Sequence, residues 1–163
     1  MTPILQLQKQ LAATSEPPDV PGVTVRTYRG EDIPAWLAIR NQACQGLEPP
    51  VRDWTPADFR SEVLNQPWWR PARLWLAEEE TAGPVGTVIL AERRGSTETL
   101  PVVHWLGVLP AYRGRGIARL LMWHLEASCQ QAGWREVRLE THRRWTAAVG
   151  LYRALGYDDV RSR

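Results

Sequence analysis

Hydrophobic and polar positions change their period along the chain, and each change marks an element. Residues 23–28 alternate Val-Thr-Val-Arg-Thr-Tyr, which predicts a strand. Ile33, Trp36, Leu37 and Arg40 then fall at helical spacing behind Glu31, Asp32 and Pro34. That pattern predicts a helix to about residue 43 with Asp32 as its N-cap. Thr55-Pro56 opens a second helix over residues 57–65, with Phe59, Val63 and Leu64 apolar. Residues 73–78, 85–92 and 102–109 read as three strands, separated by Gly83-Pro84 and by a turn at Gly95. From Gly114 to about residue 132 the period becomes helical, with Ile117, Leu120, Leu121, Leu125 and Cys129 on one stripe. Gly133 is a natural residue to follow that helix. Val137, Leu139 and Thr141 alternate with Arg138 and Glu140, a strand. Thr146 caps a last helix over 147–155, Gly156 ends it, and Tyr157 begins a short terminal strand. The order is β-α-α-β-β-β-α-β-α-β, an α/β (α+β) class with about six strands.

Ahead of this lies an arm. Ile4, Leu5, Leu7 and Leu11 suit a short amphipathic helix, and residues 15–22 carry three prolines, a linker composition. The division expected is an arm over 1–22 and one domain over 23–163. A length of 163 residues fits one domain with a real core. Hydrophobic residues make up 44% and charged residues 23%, which disfavours both a disordered tail and a membrane protein. Net charge is +2, without a basic run, so nucleic acid is not an expected partner. Lys9 is the only lysine among 20 basic residues. Cys44 and Cys129 form neither a disulfide framework nor a zinc motif, and no metal is expected. With no leader pattern and no long apolar run, the expected compartment is the cytoplasm, with no membrane partner.

The segment Leu106-Gly107-Val108-Leu109-Pro110-Ala111-Tyr112-Arg113-Gly114-Arg115-Gly116-Ile117-Ala118 carries the chemistry. A strand ends, proline breaks it, and a glycine-containing turn feeds a helix. The first turn of such a helix has up to four unpaired N–H groups and the positive end of the macrodipole. Two glycines allow close approach, and Arg113 and Arg115 add charge: an anion site suited to a pyrophosphate. A Walker loop is excluded by the missing Gly-Lys-Ser/Thr. The dinucleotide fingerprint is excluded by Arg119 at its third glycine and by the position after several strands.

Arg113-x-x-Gly116-x-Ala118 resembles the R/Q-x-x-G-x-G/A signature of the GCN5-related N-acetyltransferase (GNAT) superfamily. About forty residues on, Ala148-Val149-Gly150-Leu151-Tyr152-Arg153-Ala154-Leu155-Gly156-Tyr157 is similar to its second segment. The resemblance covers about residues 23–157 and is specific over 104–157. It implies a mixed central sheet splayed between the fourth and fifth predicted strands, with acetyl-CoA or another acyl-CoA in the gap. It implies that Arg113, Gly114, Arg115, Gly116, Ile117 and Ala118 hold the pyrophosphate. The backbone of Leu106, Gly107 and Val108 would pair with the pantetheine arm, Gly107 serving as a bulge where the cofactor approaches. Ala148 belongs to the second motif. Where the family often has an asparagine on the pantetheine, this chain has Trp145, which either packs on the arm or marks a shifted helix start.

The activity implied is direct acetyl transfer to a primary amine, from a small molecule or a peptide. The other class of reading is a noncatalytic CoA-binding or regulatory module. Tyr152 matches the family tyrosine facing the CoA sulfur, and a phenol is protonated at neutral pH. His104 is the first candidate base, four residues before Val108 and, by strand alternation, on its face. Glu140 is the second. The N–H of Val108 is the expected oxyanion donor. Trp54, Trp68 and Trp69 with Glu48 and Asp53 suit the wall of an amine pocket. The family usually ends in two more strands, whereas only residues 158–163 follow Tyr157. The arm is therefore expected to cover the open edge, in its own chain or in a partner's, the second case giving a homodimer.

Overall fold

Eleven main elements order themselves around one mixed sheet in the computed structural model, which describes residues 2–13 and 15–161. The strands are β1 (Ile4–Gln10), β2 (Val23–Thr27), β3 (Leu74–Glu79), β4 (Gly83–Arg94), β5 (Thr99–Val108), β6 (Glu136–His142) and β7 (Asp158–Asp159). The helices are α1 (Ile33–Ala43), α2 (Pro56–Phe59), α3 (Ile117–Gln131) and α4 (Thr146–Ala154), α2 running on as a wider π turn over Arg60–Leu64. The seven strands lie in the order β2-β3-β4-β5-β6-β1-β7. All neighbours are antiparallel except β5 and β6, which are parallel. The fourth and fifth strands expected from the sequence are thus β5 and β6.

The additional strand comes from the arm. Residues 4–10 form no helix; they pair with β6 from Ile4 opposite His142 to Gln10 opposite Glu136. Leu5 and Leu7 are buried while Ile4, Gln6 and Gln10 are exposed, a period of two. Seven residues are too few to hold a helix alone. The open edge of β6 satisfies their backbone groups instead. On its far side β1 receives β7 at Leu7 and Gln8. The edge left open by a short C-terminal strand is therefore covered within the same chain.

Two apolar layers cover the sheet. One joins α3 to β1, β4, β5 and β6 through Leu7, Val88, Leu121, Leu125, Val137 and Leu139. The other joins α1 and α2 to β3 and β4 through Trp36, Ile39, Phe59, Leu74, Leu76 and Ile89. Full burial of each such side chain contributes about 1.5–3 kcal/mol.

Local signals mostly act as expected. Thr55 caps α2, its hydroxyl accepting from Asp58 N–H while the Asp58 carboxylate accepts from Thr55 N–H. Asp32 does not cap α1 with its side chain. Its carboxylate takes both ends of the Arg26 guanidinium at 2.7 and 2.8 Å, and the Arg29 N–H at 2.5 Å. Nor does Thr146 cap α4, whose N-cap is Trp145 with no side-chain bond.

The Asp32 ion pair makes an acid-side prediction. Arg26 holds the Asp32 carboxyl below the usual carboxylate range, outweighing burial, which pushes the other way. A depressed folded pKa contributes stability that is complete at neutral pH and is lost as pH falls through the folded value. Asp32→Asn should lower the urea midpoint at pH 7 and shrink the further loss as pH falls below the ordinary carboxylate range. Parallel pH curves for the two proteins would overturn this account.

Candidate functional site

The sheet opens in its middle. β5 pairs with β4 along its length, but meets β6 at one bridge, Val102 opposite Arg138. Beyond it the strands separate and leave the β5 edge at residues 104–108 facing a gap. Leu109 N–H bonds to the Val85 carbonyl at 2.8 Å, toward β4. Adjacent N–H groups on a strand point to opposite sides, so that of Val108 points into the gap.

A bulge interrupts this edge. Thr87 lies opposite Gly107, yet Ile89 lies opposite His104, so β5 carries one extra residue. Trp105 takes up the difference with a φ of +54°, the only positive φ on a non-glycine residue among the described residues. The bulge breaks the alternation on which the sequence reading of His104 rested. His104 meets the rings of Trp54 and Trp68 at 6.4 and 6.2 Å, on the α1 and α2 face. Val108 packs into the opposite layer with α3. The two residues do not share a face. Gly107 flanks this bulge, as expected, and has a packing role as well. A Cβ there would lie 3.2 Å from that of Ala43 and 3.9 Å from Ile39, so its smallness serves close packing of α1.

Below the edge the chain turns through Pro110–Tyr112 into α3. Gly114 and Gly116 have φ of +78° and +87°, a conformation that favours glycine. Ile117 is buried, anchoring the first helical turn, and Ala118 is half-buried. The Arg113 guanidinium donates to Ala43 O at 3.0 Å and Val108 O at 3.3 Å, tying the turn to α1 and β5. Arg115 lies exposed, over the Tyr112 ring. The N–H groups at the start of α3 with Arg115 can hold an anion, while Arg113 shapes the turn.

α4 brings Tyr152 and Ala148 to the same layer as Val108 and Ile117. Burial pushes the Tyr152 phenol up to about 12. Trp145 packs its ring against His142 and donates from Nε1 to the Pro49 carbonyl at 3.2 Å, bridging the start of α4 to the loop after α1. Glu140 is exposed and held by Gln6 at 2.5 Å and Arg93 at 2.6 Å. Partial burial pushes its pKa up, but those two partners hold it below the ordinary value. It is a bridged carboxylate rather than a free base.

On the α1 and α2 face, Trp54, Trp68 and Trp105 surround His104 as half-buried rings. Burial first, then the charges of Arg40 and Arg93, lower the His104 imidazole to about 4. Asp53 and Glu48, expected to serve a cationic amine, are exposed. Two residues here escaped the sequence reading, Arg40 and Trp105. The signal for Arg40 was its place on an otherwise apolar helical stripe. Trp105 gave no signal, because a single inserted residue leaves no mark in a period-two pattern.

The family model described as the Acetyltransferase (GNAT) family matches residues 36–157. Mycothiol acetyltransferase of Thermobispora bispora is 32% identical over 156 residues, covering 93% of this chain and 52% of that protein. Mycothiol acetyltransferase of Mycolicibacterium gilvum is 34% identical over 164 residues, covering 96% and 52%. The chain spans about half the length of the curated relatives it matches. Among solved structures, a GCN5-related N-acetyltransferase from Sphaerobacter thermophilus superposes with a TM-score of 0.76 at 26% identity, over 96% of this chain and 48% of that one. Aminoglycoside N-acetyltransferase AAC(6')-Iy, in complex with CoA, shares the fold at a TM-score of 0.67 and 18% identity, over 86% of this chain and 91% of that one.

Proposed function

The chain belongs to the GNAT family of acetyltransferases, and we propose that it moves an acetyl group from acetyl-CoA to a primary amine by direct transfer. One observation carries this reading: the open β5 edge leads through the Gly114 and Gly116 turn into the N-terminus of α3, with Tyr152 in the adjoining layer. A pantetheine arm is a strand-like chain of amides, and an open edge is its natural partner. The N–H groups at the start of α3, with Arg115, suit the pyrophosphate.

In the proposed reaction the amine attacks the thioester carbonyl. A C–N bond forms, the C–S bond breaks, and the carbonyl oxygen gathers charge beside the Val108 N–H. The leaving sulfur takes a proton from the Tyr152 hydroxyl, which burial keeps protonated at every physiological pH. The amine proton leaves by way of His104 or water. The aromatic wall of Trp54, Trp68 and Trp105 shapes the acceptor side. The relatives named mycothiol acetyltransferase favour a small-molecule amine over a peptide in the first screen.

The test is release of free thiol from acetyl-CoA across a panel of amines. Turnover with any amine supports the reading. Tight coenzyme A binding without turnover would support a noncatalytic module instead.

His104 gives a pH prediction. Its imidazole is neutral above about pH 5, because its pKa lies near 4. Beyond the titration of the amine substrate itself, the kcat/KM profile should show no His104 inflection between about pH 6 and pH 8. Proton NMR of the imidazole checks the same point. A titration midpoint near 6.5 would remove the effect assigned to burial, Arg40 and Arg93.

A further inference from the structure

Arg40 is 2% exposed, and no carboxylate among the described residues pairs with it. Its guanidinium carbon lies 4.6 Å from the Trp54 ring centroid and 4.2 Å from that of Trp105. One nitrogen, Nη1, donates to Arg52 O at 2.7 Å and to Asn41 Oδ1 at 3.1 Å. Asn41 in turn clamps Trp54, accepting from its N–H at 2.8 Å and donating to its carbonyl at 3.0 Å. Arg40 Nε and Trp105 Nε1 are buried without partners.

A buried cation with no carboxylate in direct contact is costly, Asp53 and Asp58 acting on it only from a distance, and an aliphatic side chain would fill the space without that cost. What an aliphatic side chain lacks is a cation against the two indoles, which meet edge-on at 5.5 Å, and a donor for the loop. Trp105 needs such a hold. A bulky residue at positive φ is strained and persists only where its surroundings over-determine it. The neighbouring positions are gripped by the same helix: Gly107 packs on Ile39 and Ala43, and Arg113 donates to Ala43 O. Leu106 lies between the two grips, on the edge that faces the gap.

We propose that Arg40 is a positioning residue for the acyl donor. Packed in the corner where Trp54 and Trp105 meet edge-on, it holds Trp105 in the left-handed conformation and so fixes the β5 edge at Leu106, Gly107 and Val108. The same clamp anchors Trp54, so one side chain sets the acceptor wall and the donor edge together. This inference rests on the reading that the gap receives coenzyme A.

The experiment is coenzyme A binding by calorimetry to the full chain. Arg40→Lys keeps the charge and loses the flat fork. It should weaken binding about tenfold, within the range of coupled neighbours. Trp105→Gly removes the ring but takes positive φ unaided, so it should bind within about threefold of the parent. In that background Arg40→Lys should have no further effect. Trp105→Val loses the same ring and resists positive φ, so it should lose binding as Arg40→Lys does. A tenfold loss from Arg40→Lys that persists in the glycine background overturns the clamp. So does parent-like binding by Arg40→Lys. If Arg40→Lys fails to fold, equal losses in Trp105→Gly and Trp105→Val overturn it. If the parent chain itself does not bind coenzyme A, the functional reading fails and the clamp's role toward the donor fails with it.

Discussion

Tyr152→Phe is expected to lower kcat about a hundredfold, the low end of what a positioned general acid contributes. Coenzyme A affinity should stay within about twofold, because the ring remains and one hydroxyl is removed. Tyr152 is buried in the layer that holds Val108 and Ile117, and its phenol is pushed up to about 12 by that burial. It therefore stays protonated until the C–S bond breaks, and can then offer its O–H to the departing thiolate. The ring packs edge-on to Tyr157 at 6.0 Å, a contact phenylalanine keeps. A fall in affinity with kcat unchanged would make Tyr152 a packing residue. Kinetics at saturating acetyl-CoA beside calorimetry with coenzyme A separate the two results.

The second large effect is on stability, at the opposite end of the chain. Leu7→Ala should cost about 2–5 kcal/mol, the usual range for truncating a fully buried leucine. Leu7 is 0% exposed, lies opposite Leu139 on β6, and faces Asp159 of β7 across its other edge. Such a loss is a large share of a total near 5–15 kcal/mol. Ile4→Ala is the control. Ile4 sits in the same strand but is 40% exposed, and truncating it should change stability by less than about 0.5 kcal/mol. Urea unfolding of both variants checks the contrast. Equal small effects would mean that residues 4–10 decorate the sheet rather than complete it.

How far the fold was legible depended on whether the deciding contact was local. The turn at Gly114 and Gly116, the long stripe of α3 and the Tyr152 helix are local patterns, and the structure brings these elements to the gap between β5 and β6. Residues 4–11 read as a helix because Ile4, Leu7 and Leu11 lie at helical spacing. Leu5 and Leu7 alternating with Gln6 and Gln8 support a strand equally well. The decision was made by β6, more than a hundred residues away, whose edge a local reading does not contain. The His104 face was misread for a related reason. Alternation counts residues, and the extra residue at Trp105 reverses the count without changing composition. Arg40 was visible as a cation on an apolar stripe. Its meaning required the two indoles it packs against, one from a loop and one from the bulge.

The place of β1 also orders events in time. It sits between β6 and β7, and Gln6 finds Glu140 across a separation of 134 residues. At about 5–20 residues per second, roughly 7–27 s of synthesis pass before that partner exists. During that interval Leu5 and Leu7 lack the β6 edge they pair with, while β2, β3, β4 and β5 already have one another as neighbours. The gap between β5 and β6 is then the seam between an early half and a late half. The proposed donor site sits where β6 and β7, joined by β1, close against β5.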